Sequence, residues 1–195
     1  MVGHEKTNPY SPYDFETANK RYVETTFDGS FTIVGARSRC GIITCCDARC
    51  IPEHFYEMKE NEAFVIRNGG GRTASEDVIR TLTLIQILSE IKELKIIHHT
   101  DCGSLAFNDE EIREVIATND PNVPGGPWKP EALAWAESMA FQPFKVGKGE
   151  TILQGIEKSI IQDAAYLKAH PLIKASIKIT GWLYDLETGK VTQVV

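Results

Sequence analysis

Short β-branched apolar runs separated by one strongly periodic apolar stretch limit the folds open to this chain more than any other feature. Gly41-Ile42-Ile43-Thr44-Cys45 is largely apolar and β-branched, which suits a buried strand. Ala63-Phe64-Val65-Ile66 is a second such run, stopped by Asn68-Gly69-Gly70-Gly71, and Lys95-Ile96-Ile97-His98-His99 is a third. Between the last two, Val78, Leu82, Ile85 and Leu88 recur at helical spacing with Ile79 and Ile91 alongside, predicting a helix through about Glu93. Thr73 and Glu76 stand at capping-box spacing before it. Strand, helix, strand in this order is a βαβ unit, so the fold class is α/β with a mainly parallel central sheet flanked by helices.

The rest of the chain extends this pattern. Helices are predicted over Tyr13–Thr26, Pro52–Met58, Asp109–Ala117 and Thr151–Ala169, the last with Leu153, Ile156, Ile160, Ala164 and Leu167 on its inner face. Residues 121–130 hold six Pro or Gly and predict a surface loop, a candidate cover for a pocket. Ser176–Tyr184 and Lys190–Val194 flank Glu187-Thr188-Gly189 and predict a closing hairpin, making the C-terminal edge strand antiparallel. With no internal repeat or linker, the expectation is a single domain over residues 1–195, of which 1–30 form a polar and helical N-terminal extension.

Composition narrows the function classes. A net charge of −6 offers no basic face for nucleic acid, and no apolar run approaches the ~20 residues of a membrane span. Met1 to Pro12 is polar, without the apolar core of a secretory signal. Of five cysteines, Cys40, Cys45, Cys46 and Cys50 crowd into eleven residues and Cys102 stands apart. An odd, clustered set is a poor disulfide framework, so a cytoplasmic protein with ligand or buried thiols is expected.

Two segments place metal-ligating side chains where a predicted parallel strand ends: Cys45-Cys46-Asp47-Ala48-Arg49 and His99-Thr100-Asp101-Cys102-Gly103. Open α/β sheets build their sites at the carboxyl ends of strands, and catalytic zinc takes three protein ligands with a fourth position open. Cys45, His99 and Cys102 can supply the three, although a cysteine in a strand is more often a small buried hydrophobe. Asp47 and Arg49, two apart in a turn, are awkward charges unless they pair or face a site. Cys46 and His98 follow or precede a candidate ligand, so they are expected on the opposite face, in the core. Cys40 and Cys50 have no partner at ligand spacing, and His54 is expected to be exposed. Gly69, Gly70 and Gly71 lack the Lys-Ser/Thr of a phosphate loop and suit a close approach of backbone to the site.

Taken together, Cys45-x-Asp47-x-Arg49 followed by His99-x-x-Cys102 resembles the ligand and dyad pattern of the β-class carbonic anhydrases. The Arg67-Asn68-Gly69-Gly70 turn and the segment from Gly181-Trp182-Leu183-Tyr184-Asp185 to Thr188-Gly189 are similar to that family as well. The resemblance implies Zn2+ held by Cys45, His99 and Cys102, with Asp47 and Arg49 as the catalytic dyad. It implies hydration of carbon dioxide to bicarbonate by metal-bound hydroxide, and an activity that rises toward alkaline pH. It also implies a homodimer or homotetramer. The double histidine His98-His99, with Leu105 and Phe107 beyond, is similar to a short subgroup that includes carbonyl sulfide hydrolases. No Gln precedes Gln86, where larger members carry one that binds bicarbonate, and Ser104 replaces an expected Met. Carbonyl sulfide, or carbon disulfide, is therefore the alternative substrate. A non-catalytic zinc protein or a thiol redox sensor is the alternative of a different class.

Overall fold

The computed structural model describes residues 11–29, 35–122 and 126–195, which belong to two units, residues 1–34 and 35–195. In the first, α1 (Phe15–Thr25) starts where the Asp14 carboxylate accepts from the Thr17 amide at 2.9 Å, and none of its residues is buried. The other residues of the expected extension, 1–10 and 30, lie outside the described residues, as do 123–125 of the Pro/Gly-rich loop.

The second unit is built on a five-stranded sheet in the order β2-β1-β3-β4-β5. Its strands are β1 (Cys40–Cys45), β2 (Ala63–Asn68), β3 (Glu93–His99), β4 (Lys178–Tyr184) and β5 (Val191–Gln193). All neighbours are parallel except β4 and β5. The mainly parallel α/β architecture with an antiparallel C-terminal edge is the one the sequence predicts. Ile43, Leu94, Ile96 and Ile179 meet α3 (Glu76–Leu88) and α6 (Ile152–Ala169) in one apolar core with Val78, Leu82, Ala164 and Leu167. Each fully buried Leu or Ile there contributes about 1.5–3 kcal/mol. The alternate residues Cys40, Ile42 and Ile97 face the single-turn α2 (Pro52–Phe55) and the side chains of Phe55, Tyr56 and Met58.

Several local expectations are corrected. Ser75, not Thr73, caps α3, accepting from the Val78 amide at 3.3 Å, while Thr73 is buried and turned to a partner on α6. Helix α3 stops at Leu88, which is exposed, because the chain must turn before β3 starts at Glu93. Leu153 is also exposed; it lies in the first turn of α6, ahead of the part that reaches the sheet. After α4 (Asp109–Thr118), a short α5 (Ala132–Ser138) follows the Pro/Gly-rich stretch, and seven residues flanked by such breakers give too little periodicity to predict it.

The strand order positions the site. From β1 the chain passes to β2 on one side, then through α3 to β3 on the other. Connections that leave β1 and β3 in opposite directions open a crevice at their carboxyl ends, where such sheets bind ligands. Thr44 pairs with Ile97, so Cys45 and His99 both finish at that end.

Candidate metal centre

Cys45 is the last residue of β1 and His99 the last of β3. Cys102 follows after a turn in which Asp101 takes the left-handed φ of 54°. All three side chains are buried, and their donor atoms lie within 4.8 Å of one another. The two Sγ atoms are 3.8 Å apart. Two sulfurs held at about 2.3 Å by a tetrahedral zinc are separated by about 3.8 Å, so the spacing fits that ion.

The histidine makes the same point independently. His99 Nδ1 is 2.8 Å from the Thr100 carbonyl oxygen. A carbonyl only accepts, so Nδ1 carries the proton and Nε2 presents a lone pair. That Nε2 is buried without a hydrogen-bond partner, which is costly for a polar atom unless something else engages it. Metal-binding imidazoles have this arrangement, one nitrogen tied to a carbonyl and the other aimed at the ion. The donor set also concentrates negative charge. The hydrogen bond with Cys102 pulls the Cys45 thiol well below its ordinary range, against its burial. The same contact pushes Cys102 up, so the pair shares one proton. Burial alone would depress His99, yet Cys45 and the Thr100 carbonyl together raise it. A divalent cation satisfies both sulfurs at once by displacing their protons.

Asp47 lies beside this cluster, its Oδ2 4.0 Å from His99 Nε2. Arg49 grips it from behind: Nε donates to Oδ1 at 2.9 Å, Nη2 to Oδ2 at 2.7 Å, and the Arg49 amide to Oδ1 at 2.8 Å. These bonds, the Arg49 side chain first, hold the Asp47 carboxyl down to about 2. Arg49 has a second carboxylate partner that the sequence reading missed. Its Nη1 meets Asp101 Oδ2 at 2.7 Å and its Nη2 donates to the Asp101 carbonyl at 3.0 Å. The side chain therefore bridges both ligand segments. Arg67 fixes the first from below, donating to the carbonyls of Asp47 at 2.8 Å and Cys50 at 2.7 Å.

The glycine turn lies against both segments. Gly70 and Gly71 have φ of 74° and 68°. A Cβ on Gly71 would lie 2.9 Å from the Thr44 carbonyl carbon, and one on Gly70 would lie 2.7 Å from Ser104 Oγ. Gly69 has open space around it. Phe144, from a stretch without regular structure, joins Cys45 and Cys102 in an apolar cluster with Leu105 and Leu183 packed against it. No periodicity marks Phe144 in the sequence.

The remaining cysteines and histidines divide differently from expectation in one case. Cys46 is exposed, because β1 ends at Cys45 and strand alternation no longer applies one residue beyond it. His98 is fully buried as expected, but among polar partners. Cys40, pushed up to about 11 by burial, and Cys50, also raised by burial, are buried thiols outside the cluster. His54 is exposed.

Fold and site together define an α/β enzyme with a buried cysteine–histidine–cysteine cluster suited to a metal ion. The carbonic anhydrase family model matches residues 40–191. Beta-carbonic anhydrase 1 of Mycobacterium tuberculosis is 31% identical over 153 residues, covering 78% of this chain and 80% of that protein. A carbon disulfide hydrolase of Acidianus is 28% identical over 156 residues, covering 78% and 76%. The carbonic anhydrase structure from Glaciozyma antarctica superposes with a TM-score of 0.77 at 30% identity, covering all of both chains. The chain belongs to the β-carbonic anhydrase family.

Proposed function

We propose that this protein hydrates carbon dioxide to bicarbonate at a zinc ion held by Cys45, His99 and Cys102. The buried, unpartnered His99 Nε2 converging with two sulfurs at tetrahedral spacing carries this reading. Zinc, when bound, supplies Lewis acidity that makes hydroxide available near neutral pH, tempered here by two thiolates. Asp47, kept ionised by Arg49, accepts a hydrogen bond from the attacking oxygen and aims its lone pair at the substrate carbon. Both carboxylate oxygens are tied to Arg49, which restrains Asp47 from turning onto the metal. The turn at Gly70 and Gly71 packs against the Thr44–Cys45 peptide and Ser104, and Phe144 sets an apolar ring against both sulfur ligands, surroundings that suit a small linear molecule. Free cysteines fit a reducing cytoplasm, and no helix among the described residues is long and apolar enough to cross a membrane. A homodimer or homotetramer is the expected assembly.

Carbonyl sulfide and carbon disulfide form the second reading, favoured by the apolar residues packed around Cys45 and Cys102 and by the similarity to carbon disulfide hydrolases. Turnover of carbon dioxide, carbonyl sulfide and carbon disulfide on one zinc-loaded preparation decides between them. Carbon dioxide is expected to be fastest, and a preparation faster on either sulfur compound reverses the order. Cys45→Ser should lose bound zinc and at least ~100-fold in activity, since disturbing even outer partners of a metal ligand costs roughly 10–100-fold. A Cys45→Ser protein that keeps both would remove the ligand assignment.

A further inference from the structure

Behind the metal cluster, on the α6 side of the sheet, lies a second set of charged groups that the proposed chemistry does not use. Asp163, on α6, is 1% exposed. Its Oδ1 accepts from the Thr73 hydroxyl at 2.9 Å and the Thr73 amide at 3.3 Å. Its Oδ2 faces Arg72 Nε at 3.0 Å and His98 Nε2 at 3.2 Å. His98 Nε2 is also 3.3 Å from the Gly71 carbonyl, while Nδ1 is 2.7 Å from Ser159 Oγ on α6. With only acceptors before it, Nε2 carries the ring proton.

The three partners of Asp163 lead to candidate ligands by two routes. Arg72 and Thr73 continue from the glycine turn, and Gly71 is packed so tightly on the Thr44–Cys45 peptide that a Cβ would lie 3.0 Å from the Cys45 nitrogen. His98 shares a peptide bond with His99. Phe144 completes the assembly: it stacks on His98 with centroids 4.8 Å apart, lies 5.5 Å under the Arg72 guanidinium carbon, and packs with Cys45 and Cys102.

We propose that Asp163 is the positioning residue of the metal centre, a buried carboxylate on α6 that fixes the backbone carrying Cys45 and the backbone carrying His99 relative to each other. The inference rests on the zinc reading above. Ligands from two strands must hold their separation within a few tenths of an ångström for a small ion. A carboxylate that binds the neighbours of both is placed to set that separation.

Cobalt(II) serves as the probe, because its visible absorption reports ligand geometry without turnover. Asp163→Asn keeps the shape but removes the charge, and directs an amide toward the Arg72 and His98 donors. Its cobalt bands should shift, and it should release cobalt to a chelator at least about tenfold faster than wild type, the scale of outer-partner effects on metal sites. Leu167→Ala, one turn along α6 in the apolar core, is the control for lost stability alone. It should retain the wild-type spectrum even where it melts as early as Asp163→Asn. If Asp163→Asn fails to fold, Thr73→Val removes only the hydroxyl donor and should shift the bands in the same direction with a release about threefold faster, a fraction of the outer-partner effect. Wild-type bands in Asp163→Asn or Thr73→Val, with release no faster than that of the control, would overturn the proposal. A wild-type protein that takes up no cobalt would instead overturn the zinc reading, and this inference with it.

Discussion

Two arginine–aspartate clusters flank the end of β3, and they differ in how much solvent reaches them. On the crevice side, Arg49 joins Asp47 and Asp101 with about half of its own side chain in solvent. On the α6 side, Arg72 meets Asp163, which is 1% exposed. The Arg49–Asp101 arm, about half exposed on both sides, can exchange partners with water at little cost, because exposed ion pairs contribute only about 0–1 kcal/mol. The Arg72–Asp163 pair has no solvent to fall back on. A lone charge left there is severely penalised, so this cluster can hold backbone in place but cannot readily move.

The largest effect should appear on removing the buried arginine. Arg72→Met leaves Asp163 buried without its countercharge and should lower unfolding stability by about 3–5 kcal/mol, measured by urea titration. A loss below about 1 kcal/mol would erase the distinction drawn between the two clusters. Asp47→Asn should do the reverse, keeping zinc and stability while slowing turnover at least about tenfold, an increment of about 1.4 kcal/mol in the barrier. Unchanged turnover would refute its role in aiming the nucleophile.

A smaller effect follows from pH. Burial pushes His98 below its usual 6.5, despite the pull of Asp163. The unfolded chain then binds the extra proton below that value, so the contribution of His98 is complete above pH 6.5 and is lost as pH falls. One proton gives a slope of at most ~1.4 kcal/mol per pH unit. Urea midpoints of wild type and His98→Asn should diverge in slope below this point and run parallel above it. Parallel curves throughout would mean that the ring is not held neutral. Smallest of all, Asp101→Asn should cost under ~1 kcal/mol, since the pair is exposed and Asn tolerates the left-handed backbone. Its larger signature should be a few-fold fall in turnover through a looser Arg49, seen in kcat with metal content unchanged.

The crevice-side residues were legible because they sit close together in sequence, just after apolar strands: Cys45, Asp47 and Arg49 after one, His99 and Cys102 at the end of the other. The strands themselves and the cores of α3 and α6 were legible from their hydrophobic patterns. The α6-side cluster was not. Thr73 and Asp163 are ninety residues apart, and Thr73 stands at a spacing that reads equally well as a helix cap. Phe144 lies in an irregular stretch, where only tertiary packing identifies it as part of the apolar cluster around Cys45 and Cys102. Strand alternation puts Cys46 in the core, but β1 ends at Cys45 and the rule does not reach the next residue, which is exposed.

The bridge from Arg49 to Asp101 has a consequence for the mouth of the crevice. Its two lips leave the sheet in opposite directions, and this solvated strap spans them. Attraction between exposed charges fades as the ionic atmosphere thickens, whereas the bonds buried beneath scarcely feel it. Concentrated electrolyte should therefore loosen this strap while the grip on any metal held by Cys45, His99 and Cys102 stays firm, making the rate of entry more sensitive to salt than the retention of metal.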